Sequence, residues 1–217
     1  MIEEYLRIFC LSIIDDFNDR YNHVSPRTPE LKKISSDYSE KDLAVRIGYY
    51  FRDRATFERK DRKGKDDKKG HNDLQVKSKD FKIEVKYPKA HKSIDGYENN
   101  KLPWEQVIPD FNWLQLELTK GHKGKRAFVI GWFNTDELNK LIQIGVGRGA
   151  YPKIGSDKGI YFPFVSFDKN TKQTDTVKYD YKKAGKQLVV ELSDINEIMN
   201  CLFLGNEEDL FHFAIYY

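Results

Sequence analysis

An α/β fold, with a central mixed sheet flanked by helices, is predicted by three features of this sequence. Apolar residues recur at helical spacing near its start, polar and apolar residues alternate over residues 73–77 and 80–87 on either side of a polar turn, and later apolar runs interleave with helical segments. The 217 residues suffice to bury a substantial interior, and one domain over residues 1–217 is expected. With 14 Phe and 13 Tyr the chain carries bulky core material that a disordered sequence lacks.

The first segment, Ile2 to Tyr21, places Tyr5, Leu6, Phe9, Ile13, Ile14 and Phe17 on one helical face. A loop rich in Ser and Pro, SPRTPELKKISSDYS, is expected next. Ser39 with Asp42 three residues on then forms a capping box, opening a helix that runs to about Arg52. Past a charged, glycine-punctuated loop over residues 58–70, expected to be mobile without a partner, the period changes to two. Leu74 and Val76 alternate with Asp73, Gln75 and Lys77, and Phe81, Ile83, Val85 and Tyr87 alternate with Lys82, Glu84 and Lys86, so this stretch reads as a hairpin turning near Ser78, Lys79 and Asp80. A helix from Trp104 or Gln106 to Thr119 follows. Ala127–Phe133 reads as a buried strand, TDELNKLIQI as a short helix capped by Thr135, and Tyr161–Phe167 as a strand. QLVVEL is expected to be a strand and DINEIMNCLFL a closing helix. Trp104, Trp113 and Trp132 fall where core packing is the default. The glycines of GVGRGAY lack the Lys and Ser or Thr of a phosphate loop and read as a turn.

A formal charge of +3 announces no partner by itself, but the positive charge is local. It concentrates in FERKDRKGKDDKK, which ends at Lys69, and in Lys77, Lys79, Lys82, Lys86, Lys89 and Lys92. Cys10 and Cys201 are too few and too far apart for a disulfide framework or a cysteine-rich zinc site. The opening MIEEYLRIFCLSIIDDF has acidic residues and neither basic leader nor small-residue cleavage site, and no apolar run reaches the roughly 20 residues that span a bilayer. A cytoplasmic protein with no membrane partner is expected.

The hairpin carries the chemistry. If it turns at residues 78 and 79, paired positions sum to a constant, so Val76 faces Phe81 and Asp73 faces Glu84. A four-residue loop from Lys77 to Asp80 keeps that register, whereas a three-residue loop shifts it by one. Opposed side chains have Cβ atoms about 5 Å apart. Lys86 shares the face of Glu84, while Ile83 and Val85 turn to the core. Two carboxylates directly opposed repel unless a cation offsets them, and oxygen ligands at this spacing suit Mg²⁺ or Mn²⁺. Such an ion polarises a phosphoryl oxygen and acidifies a bound water, which Lys86 is placed to orient.

An Asp opening one strand, then Glu, an apolar residue and Lys on the next, here HNDLQV, a short turn and FKIEVKY, resembles the PD-(D/E)xK nuclease superfamily. The motif spans about residues 71–87, and the flanking helices extend the likeness to a restriction-endonuclease-like core over about 39–133, with a C-terminal elaboration over about 134–217. Asn72 stands where the usual Pro precedes the Asp. The resemblance implies that Asp73, Glu84 and the backbone carbonyl of Val85 hold Mg²⁺ or Mn²⁺ and that Lys86 serves the attacking water.

Members of this superfamily often carry a further acidic residue on the preceding helix. Glu40 is the candidate, as it shares a stripe with Leu43, Ala44, Ile47 and Phe51, although a Glu there also complements the helix dipole. Gln106 falls where similar nucleases place a Gln. Lys89, His91 and Lys92 lie just past the active strand, where they would meet the scissile backbone, and Arg59–Lys69 offers salt-sensitive phosphate contacts or a solvated loop. His71 beside Asn72 has no second His at ligand spacing. A metal-dependent endonuclease acting on DNA is the expectation, with a type II restriction enzyme and a homodimer among its forms; DNA is preferred to RNA through the resemblance alone. The alternative is a nucleic-acid-binding module of the same fold without turnover.

Overall fold

The computed structural model describes residues 1–52, 55–57, 73–88, 101–135, 137–144, 153–154, 156–170, 174–190 and 198–217. Lys89, His91, Lys92, His71, Asn72, the basic run up to Lys69 and the GVGRGAY segment fall outside these residues.

Helix α1 (Ile2–Arg20) buries Leu6, Ile13, Ile14 and Phe17 of the expected stripe, together with Ile2 and Cys10, while Tyr5 and Phe9 are only partly buried at its margin. Where a loop was expected, Pro29–Ser36 forms a second helix, α2. Its start obeys local rules: Pro29 occupies the first turn, where its missing N–H costs nothing, and the Thr28 hydroxyl accepts the Leu31 amide at 3.2 Å. The Ser and Pro content concealed a helix of two turns that Leu31, fully buried, fastens to the core. Helix α3 (Glu40–Tyr49) has the expected capping box, with the Ser39 amide donating to Asp42 Oδ2 at 2.8 Å.

The strands are β1 (Ala55–Thr56), β2 (Leu74–Val76), β3 (Phe81–Lys86) and β4 (Arg126–Phe133), with the nineteen-residue helix α4 (Lys101–Thr119) crossing over between β3 and β4. Short pieces follow: α5 (Glu137–Ile142), β5 (Gln143–Ile144), β6 (Lys153–Ile154), α6 (Ser156–Gly159), β7 (Val165–Asn170) and β8 (Thr174–Tyr179). Tyr161 to Phe164 lie in turns ahead of β7, not in a strand: Pro163 cannot donate to a ladder. The last strands are β9 (Gln187–Val190), β10 (Met199–Leu204) and β11 (Phe211–Tyr216). The expected closing helix is thus corrected over MNCLFL, which is a strand buried along its whole length; a short continuous apolar run has no period to separate helix from strand. Thr135, expected to cap α5, donates its hydroxyl to the Phe133 carbonyl at 3.4 Å.

One mixed sheet runs in the order β1-β2-β3-β4-β11-β10-β9, with β3 and β4 parallel and the other neighbours antiparallel. The parallel step is what a helical crossover produces. Successive residues of β4 divide between two cores. Ala127, Val129 and Phe133 face α1 and α3, whereas Phe128, Ile130 and Trp132 face α4 and α5. The sheet is therefore covered on both faces, as its near-continuous apolar strands require. Cys10 and Cys201 are free and buried. Among the described residues no helix is long and apolar enough to cross a membrane.

Candidate functional site

The hairpin turn is a four-residue 3-10 turn, Lys77 to Asp80, closed by the Asp80 amide donating to the Lys77 carbonyl at 3.2 Å. Asp80 takes the left-handed conformation, φ 55°, that a short polar side chain tolerates. The strands pair as Val76 with Phe81, Gln75 with Lys82 and Leu74 with Ile83. Continued by one position, that register sets Asp73 across from Glu84, as the alternation predicts.

Asp73 itself lies just before β2 and is not part of its ladder. In β3 the Lys82 amide points to the β4 side, donating to the Lys125 carbonyl at 3.0 Å, so the amide of Val85 points to the β2 side. There the Asp73 carboxylate accepts it: Val85 N–H to Oδ2 is 2.8 Å. The Val85 carbonyl faces the same edge as its amide, next to Asp73. The Val85 side chain is fully buried with Ile83 against α1 and α3, and Glu84 is buried on the opposite face of the strand.

Lys86 ends β3 and joins the two helical layers. Its ammonium donates to Glu40 Oε1 at 3.2 Å and stands 3.3 Å from Asp110 Oδ2. Glu40 opens α3 on one face of the sheet; Asp110 sits in the middle of α4 on the other. The Asp110 contact is an ion pair and not an aligned hydrogen bond, for Oδ2 is buried with no hydrogen-bond partner among the described residues. The strand end is held by Tyr87, whose hydroxyl donates to the Ser35 carbonyl at 2.7 Å, so α2 braces the site.

Charge is unevenly balanced here. Burial lifts the Asp110 carboxyl to about 6, with Lys86 pulling it down less than burial pushes, and Glu40 and Asp73 adding repulsion. Glu40 is raised for the same reasons, burial first. Lys86 is also raised: burial works to lower it, but Asp110, Glu40 and Asp73 together outweigh that. All three shifts are upward yet favour opposite charge states: Lys86 is held charged because several carboxylates surround it, whereas burial and the neighbouring negative charge push Asp110 and Glu40 towards their neutral forms against the pull of Lys86.

Asp110 was not legible as a site residue. Yet it occupies the stripe of Val107, Phe111 and Leu114 on α4, the position that made Glu40 conspicuous on α3, so the same signal was present. Gln106, the candidate from that helix, is exposed one turn before Asp110, and the two share a helix side. Among the described residues the donors fit a hard divalent cation in kind: all are carboxylate or carbonyl oxygens, they outnumber the Lys86 ammonium beside them, and a buried Asp110 oxygen has no hydrogen-bond partner. Among the described residues no three acidic, imidazole or thiol side chains converge into a ligand set, and the cation the carboxylates gather around is the Lys86 ammonium.

No protein-family model, no curated protein and no solved structure matches this chain.

Proposed function

We propose that this chain is a metal-dependent endonuclease of PD-(D/E)xK type that hydrolyses DNA phosphodiester bonds with Mg²⁺ or Mn²⁺. One observation carries the reading: a lysine at the end of the hairpin strand, two residues after a buried Glu and beside an Asp on the preceding strand's approach, is enclosed by carboxylates from both helical layers. An ordinary charged hairpin face would leave such side chains in water.

On this reading Asp73, Glu84 and the Val85 carbonyl hold the ion, with Glu40 as the outlying ligand. The ion supplies charge for the phosphoryl oxygens and an acidified water. Lys86 orients that water and offsets charge that develops on the phosphate. Asp73 fixes the backbone of Val85 by accepting the hydrogen bond of its N–H, which holds the carbonyl and the neighbouring Glu84 and Lys86 side chains at set positions. Support for the fold assignment comes from the order of helix, antiparallel strands, crossover helix and parallel strand over residues 40–133.

The test is nicking of supercoiled plasmid with Mg²⁺ or Mn²⁺ by wild type, Glu84→Ala and Lys86→Ala. Loss of cleavage in both variants with folding intact is expected. Cleavage that survives both substitutions overturns the assignment, and DNA binding by a wild type that never cleaves favours the binding module.

A further inference from the structure

We infer that Asp110 is the positioning residue for Lys86, keeping its ammonium over the end of β3 when Glu40 turns to a divalent cation. The inference rests on the nuclease reading and deepens it.

Glu40 and Asp110 hold the same ammonium but are not equivalent. The Glu40 side chain is 39% exposed, begins a helix, and lies near enough to Asp73 to feel its charge. It has access to a hydrated ion and a second carboxylate with which to share it. The Asp110 side chain is 17% exposed and sits on a long helix pinned to the sheet by Val107, Phe111 and Leu114. It has little freedom to follow an ion.

The hydrogen bonding is unequal in the same sense. Lys86 gives its aligned hydrogen bond to Glu40, while Asp110 Oδ2, 3.3 Å away, has none among the described residues. A buried carboxylate oxygen without a donor is costly, and one charge-assisted bond relieves it. If Glu40 exchanges the ammonium for a metal, Asp110 is the acceptor already in place. Without it, Lys86 would lose both partners on metal binding, and its long side chain would be free to leave the attacking water.

The experiment compares wild type, Asp110→Asn and Asp110→Glu on supercoiled plasmid with Mg²⁺, together with the ¹⁵N resonance of the Lys86 ammonium in lysine-labelled protein as Mg²⁺ is added. Asp110→Asn is expected to lower kcat by roughly 10–100-fold, the usual effect of removing an outer partner of a site side chain, with KM for DNA nearly unchanged. Asp110→Glu should restore most of it, and the Lys86 signal of Asp110→Asn should broaden or shift with Mg²⁺ where that of wild type stays sharp. Wild-type cleavage by Asp110→Asn overturns the inference. So does an equal loss in both variants accompanied by a lower urea midpoint, which marks a purely structural role. If wild type cuts no DNA, the nuclease reading falls by itself, and the Lys86 resonance still decides the pairing: an Mg²⁺ response identical in wild type and Asp110→Asn overturns it.

Discussion

The carboxylate of Asp73 accepts the backbone amide of Val85 at 2.8 Å, so the residue that opens the motif also closes the edge of the strand that carries the rest of it. Asp73 therefore has a structural and a chemical part, and substitutions separate them. Asp73→Asn keeps an oxygen for the amide: a urea midpoint near wild type is expected, with plasmid cleavage reduced at least on the order of 100-fold. Asp73→Ala removes the acceptor as well and should cost a further 1–3 kcal/mol or so in urea denaturation. An Asn variant that cleaves like wild type contradicts the metal role.

Asp110 makes stability depend on pH. Burial lifts its folded carboxyl from 3.8 to about 6, so between those values the folded state holds a proton that the unfolded state has released. Stability contributed by that proton is full below pH 4 and is lost as pH rises towards 6, by up to about 3 kcal/mol. Asp110→Asn should flatten this part of the curve, measured by urea denaturation at pH 4.5 and at pH 7.

Lys86→Met removes the ammonium that Glu40 and Asp110 surround. Both carboxylates then face Asp73 with no cation, and both should hold protons to higher pH. The variant is expected to approach wild-type stability near pH 5 and to fall short by roughly 3 kcal/mol near pH 8, since an unpaired buried charge is strongly destabilising. A pH-independent difference would show that the side chain matters for packing alone.

At the opposite end of β3 and β4, Arg126 is 3% exposed and its Nε donates to Glu117 at 2.9 Å; His122 and Lys120 also meet Glu117. Burial of Glu117 works to raise its carboxyl, but these hydrogen bonds prevail and hold it at about 2. A depressed carboxylate contributes stability above its unfolded value of 4.5, lost as pH falls towards 2. Glu117→Ala removes the acceptor of Arg126 Nε and leaves the guanidinium to the Asp80 and Lys125 carbonyls, at 2.6 and 3.1 Å, and to Asp80 Oδ1 at 3.6 Å; it should cost about 1–3 kcal/mol at pH 7, and much less near pH 2.5, by urea denaturation.

Gly131 seats α3 on the sheet. A Cβ there would come within 2.6 Å of Leu43 Cδ2 and 2.9 Å of the Phe211 and Phe213 rings. Gly131→Ala is expected to cost about 1–3 kcal/mol by overpacking. Because Leu43 and Glu40 share one short helix, plasmid cleavage should weaken as well, in a variant that alters no polar side chain.

The legible parts of the molecule are those in which neighbours along the chain decide the outcome. Alternation on either side of a short turn narrowed the hairpin to two registers, of which the turn from Lys77 to Asp80 selects the one with Val76 across from Phe81, and Ser39 with Asp42 marked the start of α3. Glu40 was visible because it breaks an apolar stripe. Asp110 and Glu117 break the stripe of α4 in the same way, yet their partners, Lys86 and Arg126, come from strands whose height against that helix only the folded sheet reveals. The strands β10 and β11 were missed for another reason: buried on both faces, they have no polar side to give a period.

The pairing of β11 with β4 has a kinetic side. Phe211 lies across from Phe133, and Tyr216 across from Phe128, so the middle of the sheet is closed by segments widely separated in sequence. Such contacts repay their loop-closure entropy late, and they slow folding. The hairpin of β2 and β3 can form early from local contacts, whereas the ladder that locks β4 beside it waits for β11. The lysine and its carboxylates would then share a chain well before they share a stable site, and substitutions at the hairpin turn should slow refolding whereas those in β11 should mainly speed unfolding.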